Sequence, residues 1–148
     1  MPYLKITSLA LDPDANAEIA RRLTNAVNTL LYNPKGGHTR EELMERTTVH
    51  FVPYQPYDFY IGGRPAPQRD APDVTVELSD WSMSVKQQRR VATALTPILA
   101  ELFQVGPDQI ESINIRFHSY PPTDFAVGGR LLSDLIPFVA KVAKRLLG

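Results

Sequence analysis

Two stretches of the sequence repeat each other and decide the fold: YQPYDFYIGGR at residues 54–64 and YPPTDFAVGGR at residues 120–130. Seven of the eleven aligned positions are identical, where average residue usage predicts about one identity. The similarity continues upstream, where Val49 aligns with Ile115 and Phe51 aligns with Phe117. A repeat of this length indicates that the chain contains two copies of one structural unit, at residues 2–66 and 73–132.

Each copy predicts a strand, a helix and a second strand. Apolar residues alternate with polar ones at Leu4 and Ile6 in copy one and at residues 74–78 in copy two, as in half-buried strands. Apolar residues spaced by three and four then predict amphipathic helices. The first runs from Asp12-Pro13 to about residue 32, and the second runs from Ser82 or Ser84 to about residue 103. Pro97 is expected to kink or interrupt the second helix.

The second strands are predicted at residues 47–53 and 112–118, and a two-glycine turn closes each copy. A helical crossover makes the two strands of each copy parallel. The chain is therefore predicted to form a single α/β domain, with a four-stranded mixed sheet and two helices on one face. Copy one carries an insertion in the loop at residues 33–46, and a last amphipathic helix is predicted at residues 133–147.

The sheet is expected to have one face that no helix covers. Alternation places Lys5, Glu77 and Arg116 on this face together with the apolar side chains of Tyr3 and Val52. A mixed face of this kind favours burial in a closed oligomer.

The composition of the chain limits the classes of partner and cofactor that are expected. The 148 residues include 16 basic and 16 acidic residues, so charge gives no reason to expect nucleic-acid or membrane binding. Cysteine is absent, and no secretory signal or membrane-length apolar run is visible, which favours a cytoplasmic protein. The three histidines lack metal-ligand spacing, and no nucleotide or other cofactor motif is present, so neither a metal nor a cofactor is expected.

Pro2 is the residue with the most distinctive potential chemistry. Methionine is commonly removed before a small second residue, and its removal would leave Pro2 with a free secondary amine. An α-amino group has a pKa of roughly 8, and an apolar pocket would lower that pKa. A neutral amine near pH 7 is a suitable general base beside a carbonyl group. The alternative is that Pro2 only begins an edge strand, and a retained Met1 would leave its nitrogen as a non-basic amide.

The chain resembles the tautomerase superfamily in three features. These are Met1-Pro2 at the start, the strand-helix-strand order, and the Phe-x-x-Gly-Gly turns at residues 59–63 and 125–129. Its members include 4-oxalocrotonate tautomerase and macrophage migration inhibitory factor, and residues 48–53 resemble the corresponding stretch of the latter. The resemblance covers residue 2 to about residue 132 in both copies. It implies a homotrimer of duplicated chains, an amino-terminal proline as general base or acid, and active sites between subunits.

The resemblance implies an isomerase that interconverts the keto and enol forms of a small 2-oxo acid. Pro2 would move the proton, and Arg116 with Asn114 would hold the substrate carboxylate or enolate oxygen. Phe125 or Tyr60 would form a wall of the pocket. An interface salt bridge is an equal alternative for Arg116. Arg40, in the inserted loop, is a weaker candidate for substrate binding than for a solvated charge.

The sequence also departs from the family pattern. The arginine that follows strand one in the short bacterial tautomerases is replaced here by Leu11-Asp12-Pro13. Dehalogenases and decarboxylases carry arginines after strand three, where residues 80–83 offer none. Two other functions stay open: a catalytically silent trimer that acts as a binding or signalling module, and hydration or dehalogenation of an unsaturated acid.

Overall fold

The computed structural model describes residues 1–136 and residue 145. Two β-α-β units and two small hairpins make up this part of the chain. The elements are, in order, β1 (Tyr3–Thr7), α1 (Pro13–Leu31), α2 (Arg40–Glu45), β2 (Thr48–Phe51), β3 (Tyr60–Ile61), β4 (Arg64–Pro65), β5 (Val74–Trp81), α3 (Val85–Leu102), β6 (Ile113–Tyr120), β7 (Ala126–Val127), β8 (Arg130–Leu131) and α4 (Leu132–Leu135).

The main sheet has four strands in the order β2-β1-β5-β6. Strands β1 and β2 are parallel, and so are β5 and β6, because a helix crosses over between the members of each pair. The two units meet through the antiparallel pair β1–β5, in which Leu4 lies opposite Leu78. This arrangement confirms the predicted duplication and the mixed sheet.

Local capping defines where the two long helices begin. The Asp12 side chain accepts a hydrogen bond from the Ala15 amide at 2.8 Å, and Pro13 occupies the first turn of α1. Ser84, rather than Ser82, caps α3. Of the two outcomes expected at Pro97, a break is wrong, because α3 continues without interruption from Val85 to Leu102, and a kink stays a prediction. Tertiary packing along the buried side of α3 outweighs the one hydrogen bond that proline cannot donate.

Both helices cover the same face of the sheet. Their apolar stripes pack on the inward-facing residues of β1 and β5 to form one core. The fully buried members include Leu4, Ile6, Ile19, Leu23, Val27, Val74, Val76, Leu78, Val91, Leu95 and Leu99.

The two-glycine turns close small hairpins at equivalent places in the two copies. Gly62 and Gly63 join β3 to β4, and Gly128 and Gly129 join β7 to β8. All four have φ between +57° and +78°, a range that glycine adopts without steric cost. The glycines therefore repeat because this turn needs two consecutive left-handed residues.

The insertion at residues 33–46 is not only a loop, as the sequence suggested, because it contains the short helix α2. Thr39 and Glu42 form a reciprocal capping box, in which the Thr39 side chain accepts from the Glu42 amide and the Glu42 side chain accepts from the Thr39 amide. The predicted helix at residues 133–147 falls mostly outside the described residues. Within them, α4 ends at Leu135.

The opposite face of the sheet is open and mixes polar with apolar side chains, as the alternation predicts. Glu77 accepts from Lys5 at 3.0 Å and contacts His118 at 3.2 Å, while Tyr3 and Val52 are each 37% exposed. No helix among the described residues is long and apolar enough to cross a membrane.

Candidate active site

The amino terminus lies against the end of the central strand β5. The Met1 ammonium group donates a hydrogen bond to Asp80 Oδ1 at 2.7 Å, and the Asp80 side chain is only 4% exposed. Pro2 is buried, and its carbonyl accepts a hydrogen bond from the Thr48 amide at 3.0 Å. Backbone pairing with the neighbouring strands β2 and β5 therefore fixes the start of β1 beside the buried Asp80 carboxylate.

A cavity of about 640 Å³ opens at this point. The cavity is lined by Met1, by Asp80 and Trp81 at the end of β5, and by the last residues of α1 with the loop that follows. The other lining residues come from α2, α3, β7 and the region of α4, and include Glu42, Leu43, Arg46, Gln87, Arg90, Val127, Leu132, Leu135 and Ile136. Its volume suits a small organic molecule.

Two guanidinium groups give the cavity positive charge. Arg46 follows the last residue of α2, and Arg90 lies in the second turn of α3. Neither side chain has an ion-pair partner among the residues that the structure describes. Arginine binds carboxylates through paired hydrogen bonds, so these two residues are suited to an anionic ligand.

A buried asparagine fixes the position of α2. Asn28, which is 0% exposed, accepts a hydrogen bond from Arg40 Nε at 2.9 Å and donates one to the Arg40 carbonyl at 3.2 Å. Arg40 Nη2 also donates to the Thr29 hydroxyl at 2.7 Å. These contacts hold the start of α2 on α1, and thereby hold Arg46 at the edge of the cavity.

An apolar cluster supports the other side of the amino terminus. Trp81 packs with Leu132 and Ile136, and Met1, Tyr120 and Phe125 lie against them. The Tyr120 and Phe125 rings stack with centroids 5.8 Å apart. Burial, with a smaller contribution from the Asp80 charge, raises the pKa of Tyr120 to about 12, so this phenol is neutral at physiological pH.

Neither a protein-family model nor a curated protein matches the sequence. Solved structures, in contrast, match most of the chain. A wild-type fused 4-OT that forms an asymmetric trimer matches with a TM-score of 0.73 at 16% identity, over 90% of this chain and 98% of that chain. N1, a member of the cis-3-chloroacrylic acid dehalogenase family, matches with a TM-score of 0.68 at 17% identity, over 96% and 88% of the two chains. MIF2 of Leishmania major matches with a TM-score of 0.63 at 14% identity, over 88% of this chain and 97% of that chain.

The chain shares the fold of these 4-OT, cis-3-chloroacrylic acid dehalogenase family and MIF2 structures. A shared fold does not decide the activity, so the activity has to be argued from this chain's own residues.

In this fold, the residues predicted to bind substrate are dispersed. Phe125 packs against the apolar cluster beside Met1, and Tyr60 is 54% exposed on the first hairpin, but neither side chain lines the cavity. Arg40 does not line it either, because its guanidinium group binds Asn28 and Thr29. Arg40 is exposed, and its hydrogen bonds also connect α1 to α2.

Arg116 and Asn114 lie on the open face of β6, at the edge of the sheet. Asn114 Oδ1 accepts from Arg116 Nε at 3.4 Å, and Asn114 Nδ2 donates to the Thr75 hydroxyl at 3.1 Å. Within one chain, neither residue lines the cavity beside Met1. Their predicted contact with Pro2 requires a neighbouring subunit and stays a prediction.

Sequence reasoning missed the charged residues of the cavity, among them Asp80, Arg46 and Arg90. Asp80 carried a usable signal, because alternation from Val74 through Leu78 places it on the core face, where an aspartate is unusual. The two arginines carried no comparable signal, since only the packing of α2 and α3 on α1 brings both to one cavity. The apolar pocket expected around the proline is wrong in this respect, because a buried carboxylate lies at the amino terminus.

Proposed function

We propose that this chain is a proton-transfer enzyme that interconverts the enol and keto forms of a small 2-oxo acid. The observation that carries the proposal is the position of the amino terminus, which lines a cavity of about 640 Å³ that is also lined by Arg46 and Arg90. Once Met1 is removed, the Pro2 nitrogen becomes a secondary amine at this place. A basic amine, a cavity of small-molecule size and cations for a carboxylate are the parts that this reaction needs.

The proposed reaction moves one proton through Pro2. The amine takes the proton of the enol hydroxyl, and the oxygen forms the carbonyl as the enol double bond opens. The electron pair of that double bond then takes the proton from the Pro2 ammonium at the neighbouring carbon. Proline ends as the neutral amine with which it began, so no oxidant, reductant or cofactor is required.

Arg46 and Arg90 are proposed to bind the substrate carboxylate. Both line the cavity from elements that are fixed independently, α2 through Asn28 and α3 through the Ser84 cap. The apolar side that contains Trp81 suits an aromatic or unsaturated substituent.

Arg116 and Asn114 of a neighbouring subunit are proposed to complete the site and to stabilise the developing enolate oxygen. The proposal includes a homotrimer, and the matched fused 4-OT structures described as trimers support it. Because only copy one can present a terminal proline, three sites per trimer are expected.

The test uses protein whose loss of one methionine has been verified by mass spectrometry. Phenylenolpyruvate and a 2-hydroxydienoate are the substrates, and ketonisation is followed by ultraviolet absorbance. Pro2→Ala keeps an amine but changes its basicity and rigidity, so kcat/KM is expected to fall by roughly 10²- to 10⁴-fold. A processed Pro2→Ala protein as active as the parent would remove proline from the mechanism.

A second candidate is a catalytically silent binding module with the same fold. The ion pair between the Met1 ammonium group and Asp80 supports this candidate. In that form Pro2 is an amide and has no basic nitrogen. A purified native protein that retains Met1 and turns over neither substrate would favour this candidate.

A further inference from the structure

Pro2 precedes β1 at the end of the sheet where Asp80 lies. The antiparallel register ends with Tyr3 paired with Ser79, and continuing that register by one residue brings Pro2 toward Asp80. The Met1 nitrogen is 2.7 Å from Asp80 Oδ1, and only three covalent bonds separate that nitrogen from the Pro2 nitrogen. Standard bond lengths therefore place the Pro2 nitrogen within roughly 6 Å of the Asp80 carboxylate.

We propose that, after removal of Met1, Asp80 pairs with the Pro2 ammonium and sets the pH at which proline becomes available as a base. This inference rests on the proposed function only for its kinetic consequence. The pairing itself concerns the charge of the amino terminus and can be measured without a substrate.

Two effects on the proline nitrogen oppose each other. Burial of Pro2 disfavours the charged amine, whereas an opposite charge within about 4–6 Å favours it. We expect the effect of the carboxylate to exceed that of burial and to raise the pKa of the amine, because Asp80 is itself almost fully buried and water screens the pair poorly. The same contact would stabilise the ammonium that returns the proton to carbon.

The other ionisable groups around the cavity do not reverse this balance. Arg46 and Arg90 oppose the ammonium, but both are exposed and their effect is screened. Glu42 on α2 adds negative charge at the cavity edge, and His38 lies in the loop after α1. Tyr120, on β6, stays uncharged near neutral pH because its pKa is about 12. Among the residues that the structure describes, Asp80 is the charged group in direct contact with the amino terminus.

The experiment measures the Pro2 titration directly by ¹⁵N NMR on processed protein labelled with [¹⁵N]proline. The wild-type Pro2 pKa is expected above the ordinary α-amino value of about 8. Asp80→Asn should lower it by roughly one pH unit or more, and Asp80→Glu should restore part of the difference. Asp14→Asn is the matched control, since Asp14 is exposed near the start of α1, beyond the opposite end of β1, and should change nothing.

The pH profile of kcat/KM supplies the second measurement. Its rise should follow the Pro2 titration and move to lower pH in Asp80→Asn. An unchanged Pro2 titration in Asp80→Asn would overturn the inference, whatever the activity. If the variant does not fold, a wild-type Pro2 pKa at or below about 8 overturns it instead. A shifted titration without ketonisation would leave the pairing intact and refute the proposed function.

Discussion

At the residue scale, Arg90 can be compared with a neighbour of the same type. Arg89 and Arg90 are consecutive exposed arginines of α3, but only Arg90 lines the cavity. Arg90→Ala is expected to raise KM about 10-fold, the equivalent of about 1.4 kcal/mol from one carboxylate contact at an accessible site. Steady-state kinetics check this, and Arg89→Ala should leave KM unchanged. Equal effects of the two substitutions would indicate only a general loss of positive charge.

Tyr120 provides a pH-dependent prediction at the same scale. Its pKa is about 12 in the folded protein and about 10 when unfolded, so the folded state keeps the proton longer. The contribution to stability is complete below pH 10 and is lost as the pH rises to 12. From pH 10 to pH 12 the free energy of unfolding should fall by about 2–3 kcal/mol more in wild type than in Tyr120→Phe. Urea unfolding at several pH values measures the difference, and parallel curves would contradict it.

At the element scale, the fold was largely predictable because it rests on periodic patterns. The repeated Gly-Gly turns, the alternation in β1 and β5, and the stripes of α1 and α3 each follow from local sequence. The cavity was less predictable. Arg46 and Arg90 line one cavity only because α2 and α3 both pack on α1, and no short-range pattern encodes that packing. Pro97 also shows how packing along a whole helix outweighs one unfavourable residue.

Helix α2 depends on one buried side chain, which gives a prediction for the element as a whole. Asn28→Ala removes two hydrogen bonds to Arg40 and should lower the free energy of unfolding by about 1–3 kcal/mol. It should also raise KM, because Arg46 would lose its fixed position. Urea unfolding and steady-state kinetics test both effects. Asn25→Ala changes an exposed asparagine of the same helix and is the control. An Asn28→Ala protein with normal stability and KM would show that the contact does not position α2.

At the scale of the whole molecule, the open sheet face favours self-association. Tyr3 and Val52 are partly exposed beside a charged group of Lys5, Glu77 and His118. We expect light scattering at micromolar concentration to give three times the chain mass of 16.6 kDa. A stable monomer would contradict the trimer. It would also contradict the proposal that Arg116 and Asn114 of a neighbouring subunit complete the site.

Arg116 tests whether neighbouring subunits share a site. If its guanidinium group stabilises the enolate, Arg116→Ala should lower kcat while the trimer stays intact. If it forms only an interface ion pair, trimer stability should fall while the remaining trimers keep their activity. Kinetics and light scattering on the same sample separate the two outcomes. Full kcat/KM in an intact trimer would exclude the proposed catalytic role.

The most direct test of the central claim compares two forms of the same chain that differ only at the amino terminus. One form has lost Met1, and the other carries a short extension that keeps Pro2 as an internal amide. The claim that the Pro2 amine transfers the proton predicts ketonisation by the first form. The extended form should lose activity by roughly 10²-fold or more, with unchanged circular dichroism and the same mass in light scattering. Equal rates of ketonisation by the two forms would contradict the claim.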